Sequence, residues 1–124
     1  MKATIGSSGY DITAVDNYLI PPLDIYRIRT GLKLWLQPGW EAQIRGRSGK
    51  AYSGLIIHPG TIDSDYRGEI IVIAYNFLRT TMAISDGDRI AQLVIAPVTM
   101  VEWEEVDHMP ATERGEGGFG STGE

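Results

Sequence analysis

The chain contains no cysteine, which excludes a disulfide frame, a thiolate metal site and a cysteine nucleophile. Only His58 and His108 offer imidazole, too few ligands for zinc-centred chemistry. Long apolar runs are also missing. No stretch approaches the roughly 18 residues a membrane helix needs, and the N-terminal MKATIGSSGY has no apolar core of the secretory kind. The expectation is a soluble protein of the cytoplasm, or of a host cell or virion were the source viral, with no membrane partner. Positive charge is scarce as well. Eleven Lys and Arg against 16 Asp and Glu leave a net charge of -5, which disfavours nucleic acid and leaves room for a small anion gripped by a few arginines.

Glycine, by contrast, is abundant: 15 glycines and six prolines punctuate 124 residues, 43% of them hydrophobic. That is enough apolar material for one core and one domain. Between the punctuation marks the chain alternates or is β-branched, with no sustained 3.6-residue period, which points to an all-β fold. From Tyr26 to Leu36 the apolar residues Tyr26, Ile28, Leu32, Leu34 and Leu36 share one parity, as a half-buried strand requires. Gln37-Pro38-Gly39 then turns it into Trp40 to Arg45, so Leu32 to Arg45 reads as a strand pair. Ile70 to Tyr75 is apolar on both parities and suits a strand covered on both faces, by a sandwich core or by another subunit. Arg89 to Val98 reads as a further strand, entered through Asp86-Gly87-Asp88. One short helix around Ser48 to Tyr52 is expected, because Gly49 and Gly54 discourage anything longer. The last eleven residues hold five glycines and only Phe119 as a large apolar side chain, so they read as a flexible arm. The expected division is residues 1–113 as a small β-barrel or sandwich core and 114–124 as the arm.

Four segments could carry chemistry. In RGEGGFGSTG, glycines let successive backbone N–H groups converge on an anion, Ser121 and Thr122 add hydroxyls, and Arg114 adds charge. Its alternative is a disordered tail, although Phe119 is well suited to closing over a flat ring. GTIDSDYRGE places Asp63, Asp65, Tyr66 and Arg67 at a hairpin turn between GLII and IIVIAY, either as plain turn formers or with one carboxylate as general base on water. In IRGRSGKAY, Arg45, Arg47 and Lys50 surround Ser48 near the helix start, as a phosphate site or a solvated basic turn. In GDRIAQL, strand parity puts Arg89 beside Ala91 and Leu93, so it should be buried with a carboxylate partner, for which Asp11 is a candidate.

Taken in order, SSGYDITA, GRSGKA, GTIDSDYRGE, GDRIAQL and RGEGGFGSTG resemble the five motifs of the trimeric dUTPase family, over Gly9 to Gly123. The resemblance implies a jelly-roll-like β-barrel, a homotrimer with sites shared among three chains, and hydrolysis of dUTP to dUMP and pyrophosphate. That reaction would keep uracil out of DNA and supply dUMP for dTMP synthesis. It makes Asp63 the base that activates water and holds the 3′-hydroxyl, and Tyr66 the ring under the deoxyribose that leaves no room for a 2′-hydroxyl. Uracil would be read by main-chain groups near Ile57, Gly60, Thr61, Ile62 and Ile71, and covered by Phe119. Arg47, Ser48, Gly49 and Gln92 would hold the α- and β-phosphates; Arg114, Gly120, Ser121 and Thr122 would hold the γ-phosphate. Mg²⁺ would bridge the phosphates, with its waters oriented by Asp11, and Arg89 would support the site structurally.

The chain departs from the family pattern at Gly46, usually proline, and at Lys50, usually leucine. It also begins shortly before the first motif, so a shortened N-terminal strand is expected. A deaminase of the related dCTP family would need a glutamate where Ile73 stands and an arginine where Tyr52 stands. The remaining alternative is a member of the same fold that binds dUTP without hydrolysing it and serves as a regulatory module.

Overall fold

The computed structural model describes residues 1–123; Glu124, the last residue of the expected arm, lies outside them. Nine strands and one short helix follow in the order β1 (Tyr10–Thr13), β2 (Tyr18–Ile20), β3 (Ile25–Arg29), β4 (Trp40–Arg45), α1 (Ser48–Tyr52), β5 (Leu55–Ile57), β6 (Gly60–Ile62), β7 (Ile71–Asn76), β8 (Met82–Ile84) and β9 (Arg89–Pro97). They form three antiparallel sheets, ordered β1-β9-β4-β6, β2-β8 and β3-β7-β5. The architecture is all-β and jelly-roll-like, with one small helix.

Alternation in the strands builds the core. Ile12, Ile20, Ile28, Ala42, Ile44, Leu55, Val72, Ala74 and Leu93 are buried and come from all three sheets. A buried polar residue pins the far end. Asn76 is fully enclosed; its amide nitrogen donates to the carbonyls of Ile20 (3.0 Å), Pro21 (3.2 Å) and Thr80 (2.8 Å), and its oxygen accepts the Leu78 N–H at 2.9 Å. Every polar group of that side chain is engaged, as burial requires.

Three expectations about local structure need correction. The strand beginning near Tyr26 ends at Arg29, because Gly31 adopts φ +68 and turns the backbone away. Leu32 to Leu36 is therefore not a strand, and the Leu32–Arg45 pair does not form; Trp40–Arg45 pairs instead with β9 and β6. β7 is covered on one face only: Val72 and Ala74 are enclosed, whereas Ile73 is 42% exposed. Of the two covers its sequence allowed, a sandwich core within the chain is not what lies over that second face.

The third correction concerns Arg89. Its partner on β1 is Thr13, the next pair is Ile12 with Ala91, and Ile90 between them has no partner. This bulge adds one residue and reverses the parity. Ile90 and Ala91 are both buried, and Arg89 is turned outward with 60% of its side chain exposed. It has a carboxylate partner but is not buried with it. The helix at Ser48–Tyr52 and the entry to β9 through Asp86-Gly87-Asp88, where Gly87 has φ +83 and Asp88 N–H donates to Ser85 O, are as the sequence indicates.

Candidate functional site

β5 pairs with β7, as GLII and IIVIAY indicate, but between them β6 leaves that sheet to pair with β4. Asp63 to Ile70 is consequently a loop that joins two sheets rather than a simple hairpin turn. A cavity of about 210 Å³ opens beside it, lined by Arg27, Thr61, Ile62, Asp63, Tyr66, Glu69, Ile70 and Ile71. The structure thus brings together Asp63, Tyr66, Thr61, Ile62 and Ile71. Gly60 is part of the adjoining β6, and Ile57 ends β5 with its side chain buried. The Asp63 carboxylate has no hydrogen-bond or ion-pair partner among the described residues, so both its oxygens are free to accept from water or a hydroxyl.

Tyr66 is held from two sides. Its hydroxyl donates to Glu69 O at 2.9 Å, and its N–H donates to Asp63 O at 3.1 Å. The ring lies so close over Gly68 that an added Cβ would stand 2.6 Å from Tyr66 Cζ. Glu69 also lines this cavity, although nothing in GTIDSDYRGE by itself marks it out. Its carboxylate accepts the Gly31 N–H at 2.9 Å and Arg29 Nε at 3.3 Å. Those donors, the Gly31 amide first and the guanidinium after it, hold the carboxyl below its ordinary pKa against the opposing effect of desolvation. Arg27, also unassigned, lines the same cavity, because on β3 it points away from the core, opposite Ile73.

The phosphate-loop candidates form a separate cavity of about 370 Å³, lined by Arg47, Ser48, Gly49, Lys50 and Ser53. α1 begins at Ser48, and the residue before it, Arg47, makes no side-chain cap. The first backbone N–H groups of the turn are therefore left to a ligand or solvent. Two neighbouring strands hold this loop. Gln92 Nε2 donates to Gly46 O at 2.9 Å, and Arg47 Nη1 donates to Arg89 O at 3.2 Å. Gly9 leaves room for Gln92, since a Cβ there would meet its Oε1 at 2.7 Å. Asp11, opposite Gln92 in the β1–β9 register, pairs with Arg47 (3.6 Å) and Arg89 (3.5 Å).

The arm candidates stand apart from both cavities. Arg114, Ser121 and Thr122 line a third, of about 560 Å³, together with Thr112, Glu113 and Gly117. Arg114 Nε donates to Gly117 O at 2.8 Å, and Ser121 N–H donates to Gly118 O at 3.1 Å. Gly120 adopts φ +90, and Phe119 is wholly exposed. Among the described residues no hydrogen bond or salt bridge joins residues 114–123 to the nine strands. Within one chain, then, base-and-sugar, phosphate-loop and arm candidates occupy three different places.

The described residues contain no cluster of three or more carboxylate or imidazole groups able to hold a metal. Both oxygens of Asp11 face guanidinium groups. That pairing does not by itself make a cation site.

The sequence matches the dUTPase family over residues 1–123. The deoxyuridine 5′-triphosphate nucleotidohydrolase of Anaplasma marginale (strain St. Maries) is 56% identical over 126 residues, covering 98% of this chain and 86% of that one. A Staphylococcus bacteriophage 80alpha dUTPase, solved as a mutant with dUpNHpp, aligns at a TM-score of 0.92 and 26% identity, covering 99% of this chain and 90% of that one. The dUTPase from phage phi11 of S. aureus, whose mutant structure details the coordination of a structural Mg(II) ion, shares the fold at a TM-score of 0.82 and 23% identity, over 87% of this chain and 88% of that one.

Proposed function

The chain belongs to the dUTPase family, and from that premise we propose that it hydrolyses dUTP to dUMP and pyrophosphate. The observation that carries this reading is the shared cavity of Asp63 and Tyr66: an unpartnered carboxylate and a fixed aromatic ring, bordered by the β6 and β7 backbone. Asp63 accepts a proton from a water that attacks the α-phosphorus. The bond from that phosphorus to the α,β-bridging oxygen breaks, and pyrophosphate leaves with the electron pair. Tyr66 lies under the deoxyribose and excludes a 2′-hydroxyl. Main-chain groups near Ile57, Gly60, Thr61, Ile62 and Ile71 read uracil. Arg47, Ser48, Gly49 and Gln92 bind the α- and β-phosphates, oriented by the Asp11 and Arg89 contacts to the loop.

The arm, residues 114–124, supplies Arg114, Gly120, Ser121 and Thr122 to the γ-phosphate and Phe119 to the uracil face. Three separate partial sites on one chain support a homotrimer, in which different subunits bring their Asp63 cavity, phosphate loop and arm to one substrate. The open face of β7 around Ile73 is then cover for a neighbour. Were Mg²⁺ bound, Asp11 would orient one of its waters, and the ion would supply positive charge against the charge that builds on the phosphates. The activity would serve the nucleotide pool of the cytoplasm, or of a host cell or virion were the source viral, where it removes dUTP and provides dUMP.

The test is pyrophosphate release by the purified chain with Mg²⁺, offered dUTP, dTTP, dCTP and UTP side by side. Release from dUTP alone is expected. Equal release from dTTP or UTP would contradict the base and sugar roles, and binding of dUTP without release would leave a binding module.

A further inference from the structure

The loop that carries Asp63 and Tyr66 is anchored from behind by groups that the reaction above does not use. Glu69 accepts the Gly31 N–H on Oε1 at 2.9 Å, and Arg29 Nε donates to both of its carboxylate oxygens at 3.3 Å. Arg29 Nη1 also lies 3.6 Å from Asp16, so one guanidinium joins the β1–β2 connection to the catalytic loop. Alongside, Thr30 Oγ1 donates to Ile70 O at 2.6 Å and Ile70 N–H donates to Leu32 O at 2.8 Å. The Tyr66 hydroxyl bonds to the main chain of Glu69 itself. The ring is therefore tied to the backbone of the residue whose side chain is tied to residues 29–31, and it rests on Gly68 with no slack.

We infer that Glu69 and Arg29 are positioning residues for the reaction: their pair sets where Tyr66 and Asp63 stand across the 210 Å³ cavity, and through Tyr66 it sets the discrimination between deoxyribose and ribose. The inference rests on the reading of Asp63 as base and Tyr66 as the surface beneath the sugar. As an ion pair the contact contributes little to stability, since 55% of the Arg29 side chain and 25% of that of Glu69 remain open to water. Its contribution is geometric. Glu69 takes up the N–H of a glycine at φ +68, where the chain leaves β3, and in doing so fixes the loop to a rigid strand end. Displacing catalytic groups by about an ångström costs on the order of a hundredfold in rate, so a partial loosening reads out in turnover before it reads out in folding.

The experiment compares wild type, Glu69→Gln, Arg29→Ala and the double variant, measuring kcat and KM for dUTP and for UTP, and thermal unfolding. Glu69→Gln keeps the shape and removes the charge. Its expected result is a fall in kcat of about tenfold, a KM change below about threefold, and a matching fall in the dUTP-over-UTP preference. The unfolding midpoint should stay within about 3 °C of wild type. Arg29→Ala should act in the same direction, and the double variant should be no worse than the poorer single one, because both remove one contact. Wild-type kcat and sugar preference in Glu69→Gln overturn the inference, as does a loss that only follows the folded fraction. Should Glu69→Gln fail to fold, Arg29→Lys carries the same kcat and preference criteria. A wild-type chain that binds dUTP without releasing pyrophosphate defeats the parent reading, and the positioning role with it, and is told apart because no variant is then involved.

Discussion

Asp11 Oδ1 lies 3.6 Å from Nε of Arg47, so a carboxylate on β1 holds the arginine that precedes α1. Its other oxygen faces Arg89 on β9 at 3.5 Å, and Arg89 in turn accepts Arg47 Nη1 on its carbonyl. Only 15% of the Asp11 side chain is open to solvent, which makes it the best-shielded member of the set. Asp11→Asn should weaken both contacts, cost about 1 kcal/mol of stability, and raise KM for dUTP several-fold more than it lowers kcat. Steady-state kinetics together with a denaturant titration checks both parts; a wild-type KM would show that Arg47 holds its position without Asp11.

Replacing Asp63 with Asn removes the proposed base and almost no volume. The variant should bind dUTP nearly as wild type does and turn over slower by about 10²–10⁴. Calorimetric binding beside pyrophosphate release separates the two, and unchanged turnover would assign the base elsewhere.

The arm makes no hydrogen bond or salt bridge to the strands among the described residues. Truncation after Glu113 should therefore leave the unfolding midpoint and the subunit number unchanged while depressing dUTP hydrolysis. Light scattering and kinetics on the truncated chain decide it; loss of assembly would make the arm structural.

Asn76 is enclosed and satisfies three carbonyls and one N–H. Asn76→Ala leaves several of those groups without partners, and a loss of about 2–4 kcal/mol is expected. Urea unfolding measures it. A loss below 0.5 kcal/mol would mean that water enters and replaces the amide at little cost, a threshold at about the scatter of ordinary surface substitutions.

Glu69 gives the pH dependence a sign. Its folded pKa is depressed by the Gly31 N–H and by Arg29, so its contribution is fully present above the ordinary glutamate value of about 4.3 and is lost as pH falls through the lower folded value. Thermal unfolding of wild type and Glu69→Gln from neutral pH downward should show a difference that is constant above that range and shrinks below it. A difference that grows with acidification would contradict the assigned donors.

Much of the site could be read along the chain because its motifs are contiguous. Asp63 and Tyr66 travel on one loop, and Arg47, Ser48 and Gly49 on one turn, but the residues alone leave each segment open to a plain structural role, and the resemblance to the dUTPase motifs is what singles them out. Glu69 was passed over within its own motif because its role depends on Gly31, 38 residues away. The misplaced strand pair from Leu32 to Arg45 has a similar origin. Alternation reports which side of a ribbon is apolar, and Leu32 to Leu36 keeps that pattern without forming a ladder, its one backbone bond to another segment being the Ile70 N–H on Leu32 O. Arg89 was assigned to the wrong face because a single unpaired residue, Ile90, reverses parity and leaves no mark in composition.

By itself, then, the order of residues determined the all-β class, the short helix and the turn into β9, since each depends on local propensity or on a period of two. Tertiary structure decided which strands are neighbours, which face Arg89 takes, and that Asp11 reaches Arg47 across the β1–β9 sheet. It also decided that the Asp63 cavity, the Arg47 turn and residues 114–123 stand apart on a single chain. Those outcomes depend on register and on long-range closure, where a shift of one residue exchanges inside for outside, and no local pattern encodes that choice.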